Sequence, residues 1–117
     1  MKPYFVDFIV SYRLYSQEEG GRKITFQGLR CDFLYQEDEA KIEIYIIHPT
    51  FLNEDGSIFE DEKPVLLLGR AKMWILSSEI KEKIHRSRIK VGIKGYFMEG
   101  ARKIGEVVVD EVVGLYE

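Results

Sequence analysis

The chain has 117 residues, of which 45% are hydrophobic, 13% aromatic and 32% charged. That is one domain's length and enough apolar material for a packed core, which excludes a disordered chain. The net charge of −3 rests on 17 basic and 20 acidic residues, too balanced for a chain that is basic or acidic throughout.

In chain order, residues 4–15 predict a long strand. Tyr4, Val6, Phe8, Val10, Tyr12 and Leu14 alternate with a mixed set that includes Asp7, Ser11 and Arg13, so period two gives one wholly apolar face and one wetter face. Gly20 and Gly21 mark a turn within 17–22. Short strands are predicted at 23–27 and 30–35. Another is predicted at 41–48, with Ile42, Ile44 and Ile46 on one side and a stop before Pro49. Residues 51–63 read as an acidic loop in which Asn53-Glu54-Asp55-Gly56 turns a hairpin. Strands at 65–68 and 71–76 flank Gly69-Arg70, with Trp74 expected in the core. Ser77 or Ser78 caps a short helix at 79–86, with Ile80 and Ile84 as its docking stripe. Strands at 88–96 and 103–113 complete the set. Seven or eight short strands, many turns and one short helix predict an all-β domain, a small closed or nearly closed antiparallel β-barrel that leaves few exposed edges.

Charge is distributed unevenly. Residues 32–62 hold ten acids against Lys41, whereas 81–103 hold eight bases against Glu82 and Glu99. Two readings stand open: solvated surfaces that face each other or water, or a binding face. If 86–94 is a strand, Arg86, Arg88, Lys90 and Lys94 share one face and form a stripe for phosphates.

No motif for catalysis or a cofactor emerges. Cys31 is the only cysteine, so no intrachain disulfide forms, and with His48 and His85 it is too sparse for a Cys-rich zinc site. A strand cysteine reads as a small buried apolar residue. His48 reads as a strand-end hydrogen bonder and His85 as an exposed helix residue. Asn53, Asp55 and Glu62 fall at calcium-ligand spacing around Gly56, but Phe51 occupies the first ligand position and brings no side-chain oxygen. No phosphate-cradling Gly-Lys-Ser/Thr loop exists. No run of about 18 apolar residues could span a membrane. Residues 1–14 lack the pattern of a secretory leader, so the expected location is the cytoplasm. Nothing points to DNA.

Certain glycine turns carry a family resemblance. Glu18-Glu19-Gly20-Gly21-Arg22, then Phe26, Gly28-Leu29-Arg30 and Phe33, resembles the opening of the third domain of bacterial elongation factor Tu. Gly69-Arg70-Ala71-Lys72-Met73 resembles the family's approach to a middle strand. Gly95-Tyr96-Phe97-Met98-Glu99-Gly100-Ala101-Arg102-Lys103-Ile104-Gly105 resembles its closing strand pair. The chain departs from the pattern with Leu29 in place of tyrosine, Ala101 in place of glycine, the acidic stretch 36–62 and the added helix. The resemblance implies a free-standing, non-catalytic β-barrel without cofactor. It implies a binding module for a protein partner, a translation component or a toxin or effector. It also implies Glu99, Gly100 and Arg102, with Lys72, near an RNA backbone. The alternative function is structured-RNA binding through Lys72, Arg86, Arg88, Lys90, Lys94 and Arg102.

Overall fold

The computed structural model describes residues 6–41, 43–60 and 63–116. Seven strands form one antiparallel sheet: β1 (Phe8–Leu14), β2 (Asp32–Tyr35), β3 (Ile44–Tyr45), β4 (Ile47–Phe51), β5 (Leu68–Ile75), β6 (Lys94–Glu99) and β7 (Arg102–Val112). Their spatial order is β3-β2-β6-β7-β1-β5-β4. The sheet curls until β2 and β4 approach each other, but no ladder joins them, so it is a half-barrel with a seam. The all-β expectation holds in that coarser form; the cylinder is not fully closed.

The predicted alternation of the first strand is observed from Phe8 onward, with Phe8, Val10, Tyr12 and Leu14 buried; Tyr4 lies outside the described residues. Phe33, Phe51, Ala71, Met73, Phe97, Ile104, Val107 and Val109 join them to fill the concave side. Tyr12, Phe51 and Phe97 pack as neighbouring rings, Tyr12 edge-on to Phe51 at 5.2 Å. Such aromatic pairs add to the stabilisation from burial alone. Tyr12 also donates its hydroxyl to the Leu66 carbonyl at 2.9 Å, and burial pushes the phenol up to about 12.

The expected 41–48 strand is instead two strands. Ile44 and Tyr45 pair with β2, whereas Ile47–Phe51 pairs with β5. The chain crosses the seam at Ile46, which is 55% exposed, and the crossing resets which residues face inward. Ile47, Pro49 and Phe51 are the inward set, and Ile42 lies outside the described residues. The strand runs through Pro49 rather than stopping before it. Leu76 donates to Ile46 and Leu52 to Arg70, so residues 46 and 52, and 48 and 50 between them, turn their backbone groups toward β5. The missing N–H of Pro49 therefore falls on the seam, where no ladder needs it. Gln27 seals the same edge: its amide donates to the Phe51 carbonyl at 2.8 Å and accepts from the Phe51 N–H at 2.7 Å. Edge pairing with another strand is thereby blocked at both positions.

Other boundaries moved for local reasons. Residues 23–27 contribute only a bridge between Phe26 and Pro64. Strand β5 continues through Gly69-Arg70, where the two expected strands were separate. Gly69 lies against the Tyr12 ring, and a Cβ there would come within 2.9 Å of its hydroxyl. The hairpin at Asn53–Gly56 forms as predicted, with Asn53 N–H donating to Ser57 and Leu52 bridging Ile58.

The helix begins at Ser78, capped by the Ser77 hydroxyl, which accepts from Ile80 N–H at 3.1 Å. It is α-helical over Ser78–Ile80, π-helical over Lys81–His85 and α-helical again over Arg86–Arg88. It covers the end of the half-barrel where β1 starts and where β2, β5 and β7 finish. The buried side chains are Lys81, His85 and the following Ile89, whereas the expected stripe of Ile80 and Ile84 is only half-buried. Lys81 can face inward because Asp7 awaits it: Nζ lies 2.7 Å from Asp7 Oδ1 and donates to the Gly114 carbonyl at 3.2 Å. Asp7, expected on the wetter face, is fully buried, and its other oxygen accepts from Ile75 N–H at 2.7 Å. Among the described residues no helix is long and apolar enough to cross a membrane.

Candidate functional site

The residues singled out from sequence divide between the two ends of the half-barrel. Arg86 and Arg88 are helical, so the stripe of Arg86, Arg88, Lys90 and Lys94 on one strand face does not form; the helix persists to Arg88 and β6 starts only at Lys94. Arg86 donates Nε–H to the Leu115 carbonyl at 2.9 Å, and Tyr116 donates back to the Arg86 carbonyl. Arg88 lies 3.8 Å over the Tyr35 ring and pairs with Asp38 at 2.7 Å and Glu37 at 3.0 Å. His85, expected to be exposed, is fully buried and shares a 2.6 Å hydrogen bond with the Tyr35 hydroxyl. Its other ring nitrogen has no hydrogen-bond partner among the described residues. Burial, with Arg88 beside it, lowers His85 to about 4, so the ring is neutral at pH 7 and accepts from the tyrosine. Glu39 pairs with Lys103. The basic and acidic segments thus face each other across this end, as one of the two readings had it. Lys90 and Lys94 remain exposed beside it, and Lys72 lies half-buried on the outer face of β5, opposite Thr50 and Ile9.

Glu99, Gly100 and Arg102 lie at the opposite end, five strand steps or about 17 Å from Lys94. There the two glycine–arginine turns meet. Ser16 and Glu19 form a capping box before Gly20, which turns the chain at φ 97°. Gly21 then passes so close to Tyr15 that a Cβ would sit 2.0 Å from its carbonyl oxygen. This close approach puts Arg22 against the β6–β7 turn. Glu99 pairs with both Arg22 and Arg102. Partial burial works to raise the Glu99 carboxyl, but the two guanidinium groups outweigh it and hold the group below the usual range. An open groove of about 490 Å³ results, lined by Gln17, Gly21, Arg22, Lys23, Ile24, Glu99 and Arg102. Three cations face one carboxylate there, an arrangement suited to an anion.

A second cavity lies on the outer face beside the seam, with a volume of about 330 Å³. Its floor is His48, Pro49 and Thr50 from β4 with Trp74 and Leu76 from the end of β5; residues 27–30 and Ile58 form its walls. Trp74, expected in the core, is half-buried here, because its place on β5 alternates with the inward Met73 and Ile75. Leu76 is 44% exposed and Ile58 54%. His48 Nδ1 is 3.2 Å from the Cys31 carbonyl. A carbonyl only accepts, so Nδ1 carries the proton and Nε2 is left for other partners. His48 is therefore a hydrogen bonder, as expected, though in mid-strand. Cys31 is buried, and desolvation pushes its thiol up to about 12, which leaves almost no thiolate for nucleophilic chemistry at neutral pH.

Sequence reading missed this cleft because its members are spread from Gln27 to Leu76 and carry no shared spacing. The only local hint was apolar Ile58 in an acidic loop. The Arg22–Glu99 contact was also missed, although both turns had been noticed separately. No protein-family model matches the chain, and no curated protein matches it.

Proposed function

We propose that this chain is a non-catalytic binding module that engages a protein partner through the outer surface of its curled sheet, at the cleft between β4, the end of β5 and residues 27–30. The observation that carries this reading is a concave apolar surface with half-buried Trp74 and exposed Leu76 and Ile58 around a few polar groups. Such composition is what central interface pockets use, because large apolar side chains gain most when a partner removes them from water. The partner is a translation component or a toxin or effector held by mimicry. That expectation comes from kinship with the third domain of elongation factor Tu, which the strand-dominated half-barrel and its two converging glycine corners support. The test is affinity purification from the native cell with the wild-type chain and with Ile58→Asp. A stoichiometric partner held by the wild type and lost from a folded Ile58→Asp chain is expected. A partner held equally by both would place binding elsewhere.

A second reading, structured-RNA binding, is favoured by the groove at the opposite end. Arg22, Lys23 and Arg102 line it together, and each phosphate contact would make binding salt-dependent. The expected result is a mobility shift of bulk tRNA at about 50 mM salt that weakens steeply by about 200 mM. It should disappear in a Lys23→Glu, Arg102→Glu double variant. No shift at low salt ends this reading.

A further inference from the structure

We infer that the seam cleft takes the carboxy-terminal residue of a partner polypeptide, with its apolar side chain against Trp74 and Leu76, its free α-carboxylate on Arg30 and its backbone N–H on the Nε2 of His48. The inference rests on the protein-binding reading and names what the partner presents.

Three observations support it. The first is charge. Among the described residues no acidic side chain lines the cleft, although the chain as a whole is net negative, and Arg30 is the one permanently charged group of those residues that lines it. The second is pairing. Arg13, Arg22, Arg70, Arg88 and Arg102 each pair with a carboxylate, and Arg86 holds the Leu115 carbonyl. Arg30 is the arginine that has neither kind of partner among the described residues, and its fork of donors matches a carboxylate in a bidentate way. The third is the histidine tautomer. With Nδ1–H given to Cys31, the Nε2 of His48 is the atom left to meet a ligand, and its lone pair accepts a backbone N–H of an incoming chain.

Size and closure agree with this assignment. A volume of about 330 Å³ lies at the small end of ligand sites, which run from about 300 to 1,000 Å³. It suits one or two side chains rather than a folded surface. A strand added along β4 is disfavoured, because Pro49 lacks the donor and the Gln27 amide already occupies both backbone groups of Phe51. An incoming chain therefore meets this cleft with its end rather than its edge. Capture of a terminal carboxylate by fixed donors beside an apolar pocket is an established physical solution for peptide binding.

The chain has a single tryptophan, so its fluorescence reports on the cleft directly. The probes are acetylated hexapeptides of Gly-Ser repeats ending in Leu, Ile, Val or Phe, each as free acid and as amide, with decanoate as a non-peptide carboxylate. The expected result is a Trp74 response to at least one free acid. The matching amide should bind about tenfold or more weakly, as loss of a charge-assisted hydrogen bond implies. Arg30→Gln should remove that preference, whereas His48→Gln should weaken acid and amide alike. Acid and amide binding equally well would overturn the carboxylate assignment while leaving the cleft as a peptide site. Decanoate binding more tightly than every peptide would overturn the polypeptide source. No Trp74 response to any probe, with the fold intact by circular dichroism, would overturn this inference. It leaves the broader reading to its own test, in which Ile58→Asp removes a cellular partner.

Discussion

The helix-covered end and the seam cleft use the same residue types to opposite ends. At the helix, Lys81, His85 and Arg88 are spent on the fold itself, on Asp7, Tyr35 and Asp38. At the cleft, Arg30 and the Nε2 of His48 have no such partners among the described residues, while apolar side chains stay half in water. The difference teaches that a cation's neighbours, and not its density along the chain, decide whether it is available to a ligand. The basic segment 81–103 looked like the binding stripe, yet most of its charge is neutralised within the molecule. A lone arginine from a stretch without charge bias faces the more promising cavity.

The largest expected effect lies at the helix end. Lys81→Met should cost about 3–5 kcal/mol, because it leaves the Asp7 carboxylate buried without a counter-charge. Changing Asp7→Asn as well should recover much of that loss. Urea unfolding followed by circular dichroism measures both; a single variant as stable as the wild type would mean that the pair is not dry.

Next comes a pH dependence at the same end. His85 is neutral in the folded state, with its pKa lowered from 6.5 to about 4. In the unfolded chain it takes up a proton near 6.5, so below that pH the unfolded state binds more protons and stability falls, until the folded pKa is reached. The loss from this residue is on the order of 3 kcal/mol by pH 4. The groups facing the ring are Tyr35, Tyr45 and Arg88, none of which loses charge in that window. In His85→Gln the stability-against-pH curve should be shallower between pH 6.5 and 4, and an unchanged slope would assign the acid sensitivity to other groups.

A smaller effect is expected at Arg88. Arg88→Gln leaves the nearly buried Asp38 carboxylate without its partner and should cost about 1–3 kcal/mol. Smallest of all is Arg30→Gln, which should shift stability by less than about 0.5 kcal/mol, because no side chain among the described residues pairs with it. A thermal-melt comparison of these two variants sharpens the contrast: equal losses would mean that Arg30 is as structural as Arg88, and its role as a ligand contact would fall.

What the sequence determined by itself was the class of fold and its local turns. Alternation along Phe8–Leu14, the hairpin at Asn53–Gly56 and the Ser77 cap depend on neighbours a few residues apart, so period and turn chemistry suffice to read them. Where the helix ended could not be read that way. Residues 86–94 carry β-branched and basic residues that also suit a strand, and only the partners offered by Asp7, Tyr35 and Asp38 draw Lys81, His85 and Arg88 into a helix. The split at Ile46, the passage through Pro49, and the meeting of Arg22 with Glu99 are likewise tertiary decisions. They follow from which strands become neighbours when the sheet curls, and that depends on contacts between residues tens of positions apart. The cleft belongs to the same class: Leu29, His48, Ile58 and Trp74 become one surface only after the seam has brought β4 against residues 27–30.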